Sequence, residues 1–180
     1  KKPCRWCIVV AHAGEEFTPL PSPYTRERYH KYLEMGADIV VAHHPHVPMN
    51  YETVGDKIIF YSLGNFVMHN ECIPYAPEEM FAKQGMTSDA TMRELFYDRS
   101  AGYTRGLMRD RRMLESVIPY FEMEDGKLTK LELMPIEMHF DDPVWRSGIP
   151  RFSNQHGIVE RLAEMSRTWN CNIEVDERGY

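Results

Sequence analysis

The stretch Asp38–Pro48, DIVVAHHPHVP, decides how the chain is read. A short run of β-branched and apolar residues stops abruptly on three histidines, with Pro45 between the last two. Such a run, bounded by turn residues, predicts a buried strand over Asp38–Ala42. Immediately upstream, Tyr24–Met35 (YTRERYHKYLEM) predicts a helix. Tyr29 and Leu33 lie one turn apart on one face, and Gly36 stands where a helix stops. Before it, the loop HAGEEFTPLPSP carries prolines that interrupt regular structure. Trp6–Ala11 (WCIVVA) predicts another buried strand. Strand, helix and strand in this order form a βαβ unit, which favours a parallel sheet. The expected fold class is therefore α/β, with α+β character further along.

Downstream, Asn50–Val54 and Lys57–Leu63 predict two strands joined at Gly55-Asp56, and SLGNF closes the second. Residues Glu71–Arg112 carry methionine, arginine and acidic residues, and predict helices without clear ends. Met113–Met123 and Leu128–Met138 alternate around EDGK, a hairpin with Asp125-Gly126 at its turn. Ser153 is the expected cap of a helix reaching Trp169. Ile158, Leu162, Met165 and Trp169 form its apolar stripe. Cys171–Val175 predicts a last short strand. The chain divides into residues 1–70 with the histidine loop, an insertion-like segment 71–112, and 113–180 with the hairpin and closing helix.

Composition narrows the partners. The 180 residues are 43% hydrophobic and 27% charged, with a net charge of −6. That balance argues against a broad footprint for nucleic acid or an anionic membrane, while permitting a local cationic pocket. No apolar run reaches the roughly 18 residues of a spanning helix. Four scattered cysteines do not make a disulfide framework. Cys4 and Cys7 form C-x-x-C, but they lead into a strand and have no second pair to complete a zinc site. They read as structural thiols. Arg93, Arg99, Arg105, Arg109, Arg111 and Arg112 crowd the middle segment, as a solvated face or as the lining of an anion path.

The histidines carry the chemistry. Ligands of α/β sheets gather beyond the carboxyl ends of the strands. His12 follows the first strand and His43 the second. If the strands are parallel, both loops emerge on one edge and these histidines become neighbours. A residue before proline is pushed towards extended conformations, so His44 is expected to be extended. Side chains two apart in an extended chain share a side, so His44 and His46 would present their imidazoles together. Pro48 stiffens the far end, and a rigid loop loses less entropy on binding an ion. The nearest acids are Glu15 and Glu16, as ligands or as groups that orient a ligand histidine. Asn65 reads as a turn former or as a donor to substrate. His30, His69, His139 and His156 read as ordinary solvated or hydrogen-bonded histidines.

Three segments, IVVAHAGEEF (8–17), GADIVVAHHPHVP (36–48) and GDKIIFYSLGNFV (55–67), resemble consecutive motifs of the CapA/PgsA family. These are bacterial capsule and poly-γ-glutamate synthesis proteins, related to calcineurin-like metallophosphoesterases. IVERLAEMSRTWNCNIEV (158–175) is similar to the family's closing helix and strand. The resemblance implies a metallophosphoesterase-like αββα sandwich around a two-metal site holding Mn, Zn or Fe. It places metal ligands at His12, His44 and His46, and the acidic residue of the site at Glu16. His43 becomes a third imidazole, a donor to a bound anion, or a general acid. Ala13 and Ala42 depart mildly from the family's usual aromatic and glycine. No D-x-H occurs, so the Asp and Asn ligands such proteins take from N-terminal motifs have no counterpart. The resemblance is thus to the C-terminal part of the domain, and a missing N-terminal half-domain is an expected partner. It implies a metal-dependent hydrolase of an anionic polymer or phosphoester, at the cell envelope through a membrane segment absent here. The alternative is a non-catalytic binding or assembly protein of capsular polymer synthesis.

Overall fold

The structure, a computed structural model, describes residues 6–106, 109–125, 127–140 and 146–178. It is a mixed α/β fold with two sheets. The first runs β1 (Ile8–His12), β2 (Ile39–His43), β4 (Lys57–Phe60) and β3 (Tyr51–Val54) in spatial order. β1, β2 and β4 are parallel, and β3 returns antiparallel to β4. The expected βαβ unit is present: helix α1 (Pro23–Glu34) connects β1 to β2. Ser22 caps α1 by accepting the Thr25 N–H, and Pro23 fits the first turn because its missing N–H has no helical partner there.

Strand alternation then sorts the core. Val40, Ala42, Ile59 and Tyr61 face α1 and bury Tyr29 and Leu33. Ile39, Ile58, Phe60 and Tyr51 face the other way, onto Val117 and Leu133 of the second sheet and Ile158 and Leu162 of helix α5 (Gly157–Ser166). The second sheet is β5 (Glu115–Glu124), β6 (Lys127–Met138) and β7 (Pro150–Phe152), all antiparallel. β1 ends the first sheet. Its Val10, on the face away from α1, is 71% exposed.

Several expectations are corrected at element ends. Met113 does not begin the hairpin. It lies in the short helix α4 (Arg111–Leu114), capped by Asp110, and β5 starts at Glu115. Gly126, the expected turn glycine, lies outside the described residues, as does Cys4; Asp125 adopts φ +45° and Glu124 pairs with Lys127. Ser153 does not cap α5. Its hydroxyl donates to Glu137 at 2.6 Å and accepts from the Gln155 N–H. The stripe also splits. α5 stops at Ser166, and Trp169 turns instead towards Tyr61 and the Arg26 guanidinium. Asn170 at φ +57° breaks the chain direction, and Cys171–Val175 is irregular rather than a strand. Cys171 nevertheless packs in the core, and burial pushes its thiol up to about 11. Residues 78–99 contain α2 (Glu78–Ala82) and α3 (Met92–Arg99), which bury Phe81, Met92 and Leu95 in a cluster of their own.

Candidate metal centre

Parallel pairing puts His12 directly opposite His43 at the carboxyl ends of β1 and β2. The two loops that follow are sewn together. Ala13 N–H donates to the His43 carbonyl at 3.1 Å, and Phe17 N–H donates to the Pro45 carbonyl at 2.9 Å. From α1, the Tyr29 hydroxyl reaches the Ala13 carbonyl at 3.2 Å and ties the first loop to the helix. Gly14 adopts φ +121°, a conformation that residues with side chains avoid.

His44 is not extended. It adopts φ +99°, and His46 adopts φ +63°. Both are conformations that cost a non-glycine residue on the order of 1–3 kcal/mol. The imidazoles still converge, with ring centroids 5.9 Å apart, but through a doubly bent backbone and not through strand alternation. The bend is held by tertiary contacts that proline rules do not contain. His44 Nδ1 lies 3.3 Å from His12 Nε2. Asn65 Nδ2 donates to the His46 carbonyl and to the Met113 carbonyl, both at 3.0 Å.

Those two carbonyls fix the Asn65 amide, because a flipped amide would set oxygen against oxygen. The Asn65 Oδ1 therefore accepts from His46 Nδ1 at 2.8 Å, and His46 carries its proton on Nδ1. In the neutral ring the Nε2 lone pair then faces Glu16, whose Oε1 is 3.7 Å away. One ligand atom each from Glu16, His44 and His46 lies within 4.8 Å of the others. Two imidazoles and a carboxylate at this spacing suit a divalent ion such as zinc or manganese. Phe17, stacked on His46 at 6.0 Å between centroids, covers one side.

The structure thus brings His12, Glu16, His44, His46 and Asn65 together. Asn65 has both amide hydrogens on main-chain carbonyls, which makes it a residue that positions His46. His43 is half-buried. Burial lowers its proton affinity, with the His12 charge adding to the effect and a hydrogen bond to the Gly64 backbone opposing it. Phe17, Tyr29 and Met113 were not marked in the sequence as parts of this site. Tyr29 read only as a core residue, and nothing local signals that a carbonyl at 113 reaches the loop. Two other histidines also have specific neighbours: His30 Nε2 lies 3.1 Å from Glu52, and His69 Nε2 lies 3.0 Å from Cys72 Sγ.

The family model described as bacterial capsule synthesis protein PGA_cap matches residues 1–70, the segment that builds this loop cluster. The likeness to that family lies in residues 1–70. The chain is 47% identical to the capsule biosynthesis protein CapA of Bacillus anthracis over 60 residues, 33% of this chain and 15% of that protein. It is 42% identical to the PGA biosynthesis protein CapA of Bacillus subtilis over 67 residues, 37% of this chain and 18% of that protein. The uncharacterized protein y4sH of Sinorhizobium fredii is 27% identical over 96% of this chain and 40% of its own length. The chain therefore spans well under half the length of each of these relatives. Among the described residues, no helix is long and apolar enough to cross a membrane.

Proposed function

We propose that the chain is the metal-binding part of a CapA-like, metal-dependent hydrolase acting in capsule or poly-γ-glutamate synthesis at the cell envelope. The observation that carries this is the mutual approach of Glu16, His44 and His46 within 4.8 Å at the carboxyl edge of a parallel sheet. A divalent ion held there, with His12 beside it, would polarise a phosphoryl or acyl oxygen and lower the pKa of a water. The chain's own groups supply orientation. Asn65 holds His46 in the tautomer that offers Nε2. The His12–His44 contact aims the second imidazole. Phe17 limits access of bulk water on one side of His46. Burial favours the neutral ring of His43, which suits a ligand or a hydrogen-bond donor to a bound anion better than a general acid.

A metallophosphoesterase-like αββα sandwich is the architecture that accompanies this reading. α1 on one face of the mixed sheet and the antiparallel sheet on the other support it. Among the described residues β1 has no strand on its outer side, and with Ile8 and Val10 exposed this is the place for a further segment to add its strands and any second set of metal ligands. The test is hydrolysis of bis(p-nitrophenyl) phosphate with added Mn²⁺, Zn²⁺ or Fe²⁺, comparing the wild type with His44→Ala. Metal-dependent turnover lost in the variant supports the proposal. Metal binding without turnover in either protein favours the binding or assembly role, and equal turnover in both removes the loop from the chemistry.

A further inference from the structure

Beside the histidine loop lies a cavity of about 110 Å³. Pro19 and Pro48 form one part of its lining and Ile158 and Met165 of α5 another, while Arg112, Glu115 and Arg161 supply its polar atoms. Pro48 is two residues beyond His46, so this space adjoins the candidate metal centre along the chain.

The charges here do not balance. The Glu115 carboxylate is buried and accepts from Arg111 Nε at 2.5 Å and from Arg161 Nη2. Two guanidinium groups share one carboxylate. Arg112 is matched by Asp110, through contacts of 3.1 and 2.7 Å. The group of five charged residues therefore carries one surplus positive charge, in a chain whose net charge is −6. Burial and the neighbouring Arg111 both lower the proton affinity of Arg161, so its charged form gains from an incoming anion. Arg161 meets Glu115 through Nη2, on one side of a planar fork whose geometry fits a carboxylate. The remaining lining is aliphatic. Phosphate offers no methylenes to this aliphatic wall and no planar pair of oxygens to the fork. A carboxylate on a short methylene stem offers both.

We propose that this cavity is a subsite for an aliphatic carboxylate group of the substrate, with its methylenes against Ile158, Met165, Pro19 and Pro48 and its carboxylate on Arg161 and Arg112. The subsite takes its place in a reaction from the metal-centre reading above, but its binding chemistry needs no metal. The arginine-rich segment noted in the sequence thereby resolves into different roles, with Arg111 balancing Glu115 and Arg112 facing the cavity.

The test is calorimetric titration of the whole chain with glutarate, in EDTA, with inorganic phosphate as the comparison. Glutarate is expected to bind more tightly than phosphate. Arg112→Gln and Arg161→Lys are each expected to weaken glutarate by about tenfold, the loss of one charge-assisted hydrogen bond. Arg112 pairs at the surface, and lysine keeps the charge beside Glu115, so both variants should stay folded, as urea unfolding will check. Glutarate binding that is absent, that is unchanged in both folded variants, or that is matched by phosphate overturns the subsite. Glutarate binding that persists in a protein unable to bind metal supports the subsite while the hydrolase reading falls. Metal-dependent turnover without glutarate binding does the reverse.

Discussion

His46 and Asn65 exchange two hydrogen bonds: the imidazole Nδ1–H donates to the amide oxygen at 2.8 Å, and the amide donates back to the His46 carbonyl at 3.0 Å. One side chain thus sets both the tautomer of the histidine and the bend of the backbone that carries it.

Asn65→Ala removes both constraints and leaves the Met113 carbonyl without its partner. Loss of a group that orients a ligand histidine typically weakens metal about 10–100-fold. Competition with a chromogenic chelator for Zn²⁺ should show a loss in that range, with circular dichroism unchanged. Asn65→Asp keeps an acceptor for Nδ1–H but turns a donor into an acceptor against two carbonyls, and should not rescue. A variant with wild-type affinity would assign the orientation of His46 to other contacts.

A second polar network lies under α1. Glu52 is buried and takes a bidentate contact from Arg26, at 2.6 and 3.1 Å, and the Tyr61 hydroxyl at 2.6 Å. Burial alone would raise its pKa, but hydrogen bonds from Arg26, Tyr61 and His30 outweigh this and hold the carboxyl below its usual range. A folded-state pKa below the unfolded value stabilises the fold above the unfolded pKa. That stability is lost as pH falls through the folded pKa. Urea midpoints should therefore drop between pH 5 and pH 3 in the wild type and less so in Glu52→Gln. Arg26→Ala leaves a buried carboxylate short of its cation and should cost about 3 kcal/mol at pH 7. Equal pH dependence in wild type and Glu52→Gln would remove Glu52 from acid unfolding.

What the residues made legible follows from how local the cause is. The βαβ unit was readable because Ile39–Ala42, Tyr29, Leu33 and Gly36 express strand and helix periods within a few residues, and the register His12↔His43 follows from parallel pairing. The convergence of His44 and His46 was readable, but its geometry was not. The pre-proline preference at His44 is worth less than the contacts from His12 and Asn65 that pull the loop into positive φ. Trp169 obeyed helical spacing on paper, yet its partners Tyr61 and Arg26 lie on the other face of the sheet and end the helix early. Nothing local marks Glu52, since its counter-ion comes from α1, 26 residues away.

Gly64 joins the two sheets. It bridges to Ser116 at φ +85°, and an added Cβ would sit 2.7 Å from the Glu115 carbonyl and 3.1 Å from Pro48. Neither a backbone carbonyl nor a proline ring bound in the chain can yield cheaply. Gly64→Ala should destabilise by about 2 kcal/mol or more, from backbone strain and the clash together. Asn65 follows directly, so metal affinity should fall along with the thermal midpoint. A fall in midpoint with unchanged affinity would separate the joint from the site.

Metal should stabilise the fold through the loops it cross-links. Glu16 and His44 come from the loops that follow β1 and β2, and the bent loop at His44 and His46 stores conformational cost that ligation would hold in place. An ion that binds only the folded chain adds about 2.7 kcal/mol at a hundred times its dissociation constant. Zn²⁺ or Mn²⁺ at that excess should raise the unfolding midpoint by several degrees, and EDTA should reverse the rise. His44→Ala and His46→Ala should each abolish the rise. Glu16→Gln should reduce it, because a neutral amide oxygen replaces an anionic ligand atom beside His46 Nε2. His12→Ala discriminates further: a rise lost as fully as in His44→Ala makes His12 a ligand, while a partial loss makes it the group that aims His44 across their 3.3 Å contact. A wild type whose midpoint ignores both ions, and whose EDTA-treated form melts at the same temperature, would leave the Glu16–His44–His46 cluster without a metal.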